Sequence, residues 1–248
     1  FWTWKTKEQR AIWVDGGRYL FLPIVISCMV ILPAHTSSAV IVFMLSIAML
    51  FIGRVRLIEV WRLLKWVVAG VALLFLLGIG RGDTAGGRFS TWWELWTTSR
   101  MEIPAEELTD TERSMIAIHN GGILGRGAGQ STVRVEMTHP ESDYAYAFFT
   151  SEYGFIAAIV LMLLYLWITF RSIEICRRCP TAFLTFMTAG LGLLITCQAM
   201  LHILVQVNFL PETGQTLPFI SRGGSSLMFM SIALGMILSV SRIPEKKR

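Results

Sequence analysis

The sequence predicts an all-α membrane protein, a polytopic bundle of six transmembrane helices with one large extracytoplasmic loop. Of its 248 residues, 54% are hydrophobic and only 16% are charged, and the mean hydropathy is +0.57. A soluble domain usually carries about 25% charged residues. The charges also fall in clusters between long apolar runs. We therefore expect a single membrane domain over residues 1–248, with the loop at residues 80–146.

The predicted spans follow from length, because a helix needs about 20 apolar residues to cross the hydrocarbon core of a bilayer. The apolar stretches that approach this length are residues 19–34, 37–53, 64–79, 147–170, 182–207 and 225–240. A tight turn near His35 and Thr36 separates the first two stretches. The polar residues 80–146 separate the third stretch from the fourth and form the large loop.

Basic residues predict the orientation, because cytoplasmic loops carry an excess of Lys and Arg. The basic clusters precede the first span, join the second to the third, follow the fourth and end the chain. With six spans these clusters fall on one side, so we expect both termini in the cytoplasm. The large loop has six arginines against ten acidic residues and suits the outer side. The net charge of +5 is then a topology signal and does not indicate nucleic-acid binding.

Cysteine usage and the start of the chain limit the interpretation further. Four cysteines in 248 residues do not form a disulfide framework. Cys176 and Cys179 form a Cys-x-x-Cys pair in a basic loop, but no second pair completes a zinc site, so metal or redox chemistry there is a minor alternative. The chain begins at Phe1, and its short apolar start precedes the charged residues, which is the reverse of a signal peptide. We therefore expect a fragment whose upstream part is missing.

The large loop carries an aromatic segment at residues 89–96, whose sequence is FSTWWELW. Its tryptophans recur at about one-turn spacing, and Trp is enriched at the membrane–water interface. The segment therefore predicts a short interfacial helix, with a simple surface anchor as its main role.

Residues 120–131, NGGILGRGAGQS, hold five glycines within nine residues and cannot form a stable helix. Such a loop exposes backbone N–H groups that can approach an anion closely, and Arg126 adds a guanidinium suited to phosphate. We expect Arg126 and Ser131 of this segment to bind substrate. The spacing fits neither a Rossmann fingerprint nor a Walker loop. The alternative, which this segment alone favours, is a tight turn that packs against a helix.

Residues 139–154 run from a polar turn into the fourth span. Pro140 suits the entry of a helix, and Ser142 or Asp143 is placed to cap it. The functional alternative makes Asp143 a general base at the rim of the bilayer. Glu152 lies on the opposite face of that helix, so the two carboxylates do not form a glycosidase-style pair. Glu152 interrupts an apolar run, where a charge tends to be functional or paired.

Residues 210–226, LPETGQTLPFISRGGSS, contain two prolines and three glycines, which predicts an irregular re-entrant loop on the outer face. Arg222 lies beside Ser221, Gly223 and Gly224, and this group suits the binding of a pyrophosphate. The alternative is that Arg222 extends from the interface into water.

The fifth span carries Gln198, His202 and Gln206 at four-residue steps, which places them on one stripe of the helix. A polar stripe in a membrane helix faces the bundle interior or a water-filled cavity. Hydrogen bonding inside the bundle is the plainer interpretation, and substrate binding by Gln198 and His202 is the functional one.

Three of these segments, residues 121–131, 140–154 and 210–226, resemble signatures of the SEDS family (shape, elongation, division and sporulation proteins) and occur in the family's order. Residues 32–54 resemble an earlier family segment. The form GQTLPFISRGGSS is more similar to the FtsW-like division branch than to the RodA-like elongation branch.

The resemblance implies a ten-span fold of which this chain supplies the last six spans. It also implies a peptidoglycan glycosyltransferase of the bacterial inner membrane that polymerises lipid II into glycan strands. A class B penicillin-binding protein, which is a transpeptidase, and other divisome membrane proteins are the implied partners. Asp143 matches the family's essential aspartate and Glu152 its following glutamate, whereas His202 stands where an asparagine is common.

The implied reaction joins two lipid-linked disaccharides and releases undecaprenyl pyrophosphate. We expect Asp143 to act as the base, and Arg126, Arg222 and Arg88, in that order, to stabilise the leaving group. No carboxylate cluster defines a metal site, so Mg²⁺ or another divalent cation stays an option. Two other functions stay open: a lipid II flippase, although no inverted repeat is visible, and a scaffold that recruits a synthase.

Overall fold

A computed structural model describes residues 21–53, 55, 57–76, 82–97, 108–131 and 141–242, and the regular structure within these residues is entirely helical. The helices are α1 (Phe21–Ile31), α2 (Thr36–Ile52), α3 (Leu57–Leu76), α4 (Gly82–Thr97), α5 (Asp110–Gly121), α6 (Ala145–Arg178), α7 (Ala182–Gln206) and α8 (Gly224–Ser241). The chain divides into two compact units, residues 1–85 and 86–248.

The last three predicted spans are full-length helices. Among the described residues, α6, α7 and α8 are the helices long and apolar enough to cross a membrane, and α6 continues past the predicted end at residue 170 to Arg178. Helices α1 and α2 are apolar but shorter, and α3 carries Glu59, Arg62 and Lys65 in its first half. The structure is thus that of an all-α membrane protein, while the count of six spans stays a prediction.

Some sequence predictions lie outside the described residues. They concern the start of the first span, the end of the third span, the basic residues at both chain ends, and Pro140 at the entry of the fourth span.

The first unit is packed around apolar side chains of α1, α2 and α3. Leu50 of α2 and Leu63 and Val67 of α3 are buried together, and residues of α1 pack against them. Gly70 of α3 lies so close to α1 that a Cβ there would be 2.2 Å from Cε of Met29. The helices therefore meet through small and flexible side chains.

The second unit has its core between α6, α7 and α8. Ala158, Ile195 and Ala199 are completely buried there. A Cβ on Gly192 of α7 would lie 2.3 Å from Oγ of Ser172 on α6, so the two helices approach closely. Small residues at helix contacts are typical of membrane bundles. Large apolar side chains on the outer faces of these helices are exposed, as expected of surfaces that meet lipid.

The aromatic segment of the large loop lies on α4, as the sequence predicts. The indole N–H groups of Trp92 and Trp96 donate to the carbonyl of Asn208, at 3.2 and 3.1 Å. Trp93 and Phe89 are exposed. Helix α4 is therefore attached to one backbone carbonyl just after α7, which the surface-anchor interpretation did not include. Its placement at the membrane interface stays a prediction.

Candidate active site

Asp143 lies in the turn of residues 141–144 directly before α6 and is half-buried. Tyr144 is the N-cap, and its side chain makes no capping bond within the described residues. The prediction that Ser142 or Asp143 caps the helix is therefore wrong, because both precede the position from which a side chain reaches the first free amides. Ser142 instead donates its hydroxyl to Oδ1 of Asp143 at 3.1 Å.

The backbone of this turn is fixed by hydrogen bonds to three consecutive carbonyls, those of residues 141, 142 and 143. The donors, in that order, are the amide of Arg222 at 2.9 Å, the hydroxyl of Ser221 at 2.8 Å and the side-chain amide of Gln206 at 2.7 Å. Because backbone groups carry the attachment, the turn is held without using the carboxylate of Asp143.

Arg222 also forms an ion pair with Glu141, with Nη1 at 2.8 Å from Oε2. This hydrogen bond, followed by the charge of Glu141, raises the pKa of Arg222, so the guanidinium stays charged. Its side chain is nevertheless 83% exposed. Arg222 thus joins residues 210–226, the outer segment, to the Asp143 turn and still carries an exposed positive charge.

Helix α8 begins next to this cation, with Gly223 at its N-cap and Gly224 as its first residue. Gly223 offers no side-chain cap, so the first amides of α8 receive no bond from it. A Cβ on Gly224 would meet no described atom within 4 Å, so the space beside it is open in the described structure. A helix N-terminus that adjoins an exposed Arg suits an anion.

The polar stripe of α7 faces the interior, as predicted. His202 is 1% exposed, its Nε2 accepts from the amide of Tyr146 at 3.4 Å, and its Nδ1 lies 2.7 Å from the carbonyl of Gln215. This pattern fits the neutral tautomer with the proton on Nδ1. Gln198 donates to the carbonyl of Thr216 at 3.2 Å.

Both ring nitrogens of His202 and the amide of Gln198 are therefore engaged within the protein. These bonds match the plainer interpretation, in which the stripe serves hydrogen bonding inside the bundle. They attach α7 to the start of α6 and to the outer segment of residues 210–226. A direct contact of either side chain with substrate stays a prediction.

The glycine segment docks into a break in α6. At Gly154 the helix leaves helical geometry, with φ 84° and ψ 175°. Such a break leaves carbonyls before it and amides after it without partners inside the helix. The segment binds four of these groups. The amides of Phe155 and Ile156 donate to the carbonyls of Gly122 and Ile123 at 2.9 and 3.4 Å, and the carbonyls of Ser151 and Glu152 accept from the amides of Arg126 and Gly127 at 3.1 and 3.0 Å.

Side chains extend this contact. The amide of Gly129 donates to Oε1 of Glu152 at 2.8 Å, and the hydroxyl of Ser131 donates to that of Ser151 at 3.0 Å. Glu152 and Ser131 are both buried. The amides that the sequence offered to an anion thus bind α6, which is the arrangement of the tight-turn alternative.

Arg126 and Arg88 remain exposed cations. The guanidinium of Arg126 donates from Nε to the carbonyl of Asn120 at 3.1 Å, and Arg88 lies on α4. The hydrogen bonds thus bring Ser221 and Arg222 to the Asp143 turn, and His202 to the start of α6. They place Glu152 and Ser131 in a second group further along α6.

The carboxylate of Glu212 also lies beside the Asp143 turn, and the sequence patterns did not indicate it. Its Oε1 accepts hydrogen bonds from the hydroxyls of Thr111 and Tyr144, the second at 2.5 Å. The available signal was an acidic residue inside the Pro- and Gly-rich outer segment. Sequence spacing gave no indication of its partners, which lie on α5 and in the Asp143 turn.

A sequence model of the FtsW/RodA/SpoVE family, described as cell cycle protein, matches residues 3–246. The chain is 37% identical over 131 residues to stage V sporulation protein E of Bacillus subtilis (strain 168), which covers 52% of this chain and 36% of that protein. It is 31% identical over 216 residues to the probable peptidoglycan glycosyltransferase FtsW of Caulobacter vibrioides, covering 83% and 55%.

A solved structure of a peptidoglycan synthase complex, described as coordinating polymerization and crosslinking, is similar with a TM-score of 0.57 and 20% identity. The similarity covers 93% of this chain and 62% of that one. At this identity the likeness concerns the fold. The chain spans about half the length of the FtsW relatives it matches, 55% of the Caulobacter protein and 51% of the FtsW of Escherichia coli O157:H7.

Proposed function

This chain belongs to the FtsW/RodA/SpoVE family of cell cycle proteins, and we propose that it is part of a glycosyltransferase that polymerises lipid II into peptidoglycan strands. The relatives named FtsW support this activity and favour the division branch. We further propose a multi-pass location in the bacterial inner membrane, with both ends of this chain cytoplasmic. Helices α1, α2, α3, α6, α7 and α8 then correspond to the last six spans of a ten-span fold.

The observation that carries the proposal is the placement of Asp143. Its turn is fixed by the three backbone carbonyls, while the carboxylate receives only the Ser142 hydroxyl among the described hydrogen bonds. A fixed carboxylate at the outer end of a membrane helix suits a general base for a lipid-linked sugar. A sugar hydroxyl of the acceptor transfers its proton to Asp143 as its oxygen attacks the anomeric carbon of the donor. The bond from that carbon to the pyrophosphate breaks, and undecaprenyl pyrophosphate leaves with both electrons.

The leaving pyrophosphate needs positive charge in the transition state. Arg222, which is bonded to the Asp143 turn through Glu141, offers it together with the N-terminus of α8 at Gly223 and Gly224. Arg126 and Arg88 are further candidates, because both are exposed on the loop side. This order differs from the sequence-based one, in which Arg126 came first.

Among the described residues, no group of three or more His, Cys, Asp or Glu side chains is placed to hold a metal ion. Mg²⁺ held through the substrate pyrophosphate, as magnesium usually is, stays a proposal.

A class B penicillin-binding protein is the proposed partner. The similar solved structure is a peptidoglycan synthase complex, which supports an assembly with a transpeptidase. Other divisome membrane proteins are proposed as further partners on the family membership alone.

The test is polymerisation of lipid II by the full-length protein with its transpeptidase partner. We expect Asp143→Asn to lower kcat at least about 100-fold, because a positioned base typically contributes 10²- to 10⁴-fold. Asp110→Asn is the matched control, since Asp110 is an outer carboxylate paired with Arg113 at 3.9 Å and should change the rate little.

Full activity of Asp143→Asn would exclude the base. A wild-type protein that moves lipid II across liposome membranes but forms no polymer would favour the flippase. If the partner protein makes the polymer and Asp143→Asn leaves the rate of the complex unchanged, the scaffold is favoured.

A further inference from the structure

The carboxylate of Glu212 connects three segments of the second unit. Glu212 lies in the outer segment after α7 and is half-buried. One oxygen, Oε1, accepts from the hydroxyl of Thr111 in the first turn of α5 and from the hydroxyl of Tyr144 in the Asp143 turn. Both donor residues are buried, at 6% and 8% exposure. Hydrogen bonds from two hydroxyls to a carboxylate are charge-assisted, and such bonds are stronger than those between neutral groups.

The direction of these bonds follows from chemistry. Burial, and then the hydrogen bond and charge of Glu212, raise the pKa of Tyr144, so the phenol stays protonated and donates. Thr111 can only donate its hydroxyl to a carboxylate. Removal of Glu212 would therefore leave two buried hydroxyls without their shared carboxylate and with only each other as partners, which costs stability.

Tyr144 transmits this attachment to Asp143, because the two residues are consecutive. The ring of Tyr144 is buried against Ala117 of α5. The carbonyls of residues 141–143 accept hydrogen bonds from Arg222, Ser221 and Gln206. These bonds fix the backbone up to the carbonyl of Asp143. The bond from Tyr144 to Glu212 fixes the residue after it. The backbone of Asp143 is thus held on both sides along the chain.

We propose that Glu212 is a positioning residue for glycosyl transfer, which holds Asp143 at its reacting distance by fixing Tyr144 against α5 and the outer segment. This inference rests on the proposed function. A positioning residue of this kind affects the chemical step and leaves substrate binding unchanged. A displacement of about 1 Å in a reacting group can lower a rate about 100-fold.

The test measures kcat and KM for lipid II in the full-length protein with its transpeptidase partner. Glu212→Val should lower kcat about tenfold or more with KM unchanged, because the hydroxyls of Tyr144 and Thr111 lose their acceptor. Glu212→Gln keeps an acceptor oxygen and should stay within about threefold of wild type.

The decisive variant combines Glu212→Val with Tyr144→Phe. Both changes remove the same hydrogen bond, so the pair should have about the kcat of Glu212→Val alone, and the two losses should not multiply. A general loss of structure would instead make the kcat of the pair lower than that of Glu212→Val alone. The amount of protein in membranes and its thermal unfolding midpoint are measured for each variant.

Two results would overturn the inference: Glu212→Val with the kcat of wild type, or the pair with a lower kcat than Glu212→Val alone. If Glu212→Val does not accumulate, Glu212→Gln decides, and a loss of kcat above about tenfold contradicts a role as hydrogen-bond acceptor. In each case, polymerisation by wild type and its loss in Asp143→Asn show separately whether the proposed function stands.

Discussion

Two carboxylates at the start of α6 show how neighbours decide what a side chain can do. Oε1 of Glu152 accepts the amide of Gly129, and its backbone carbonyl accepts the amide of Gly127, so this buried residue is part of the loop contact. Asp143 is attached through its carbonyl, which leaves its carboxylate with the Ser142 hydroxyl. The same residue class therefore serves structure at one position and is available for chemistry at the other.

Glycine is required at particular positions of this contact. Gly125 has φ +82°, and a Cβ there would lie 2.2 Å from the carbonyl oxygen of Glu152. Gly122 has φ +57°, but a Cβ there would meet no described atom within 4 Å. Alanine at Gly122 therefore carries only the cost of left-handed backbone, whereas alanine at Gly125 also forces the loop away from α6.

We expect Gly125→Ala to lower the free energy of unfolding by about 1–3 kcal/mol more than Gly122→Ala, the usual cost of overpacking. The thermal unfolding midpoints of the two variants in detergent give the comparison. Equal midpoints would show that the loop does not pack on α6 as described.

At the scale of elements, the helices were predictable and their attachments were not. Apolar length predicted α6, α7 and α8, because a span needs a continuous apolar run. The break in α6 at Gly154 was not predicted, since a single glycine in an apolar helix has no distinctive spacing. The break depends on the glycine segment, which supplies hydrogen bonds from residues far away in sequence.

The site was predictable to a similar extent. The family resemblance selected Asp143, and the neighbouring Ser221, Gly223 and Gly224 made Arg222 a candidate. The structure brings these segments together. Only the three-dimensional contacts reveal the hydrogen bonds of Glu212. They also show that amides of the glycine segment donate to α6, which leaves fewer of them for an anion. Sequence periodicity carries information about one face of one helix, and these contacts join different elements.

Helix α4 depends on two indole groups for its attachment after α7. Trp92→Phe combined with Trp96→Phe removes both donors to the carbonyl of Asn208, each worth about 0.5–1.5 kcal/mol. We expect the pair to raise the rate of limited proteolysis in α4 about tenfold, because cleavage follows the population of the opened state.

Trp93→Phe is the control, because Trp93 is 57% exposed and is not one of the donors to Asn208. Its cleavage rate should match that of wild type. An unchanged rate in the pair would show that the two indole bonds do not hold α4.

At the scale of the whole molecule, charge and hydropathy carry the topology. The chain has 22 Lys and Arg against 17 Asp and Glu, and the basic residues concentrate in the segments assigned to the cytoplasm. The described part of α6 ends in Arg177 and Arg178, and its start carries the acidic Asp143 turn. The proposed reaction needs this orientation, because lipid II is polymerised on the outer face.

Cysteine labelling of the full-length protein in bacterial cells tests the orientation directly. Cys28, Cys176, Cys179, Cys197 and any cysteine outside residues 1–248 are first replaced by alanine. Ala128→Cys then introduces one exposed thiol in the glycine segment beside the first part of α6, and Ala182→Cys introduces one at the start of α7, beside the other end of α6. A membrane-impermeant maleimide that enters the periplasm should modify Ala128→Cys in intact cells and Ala182→Cys only after the inner membrane is permeabilised. Each variant is its partner's control for reagent entry. The reverse pattern would place Asp143 in the cytoplasm, where a carboxylate could not serve a polymerase that acts on the outer face.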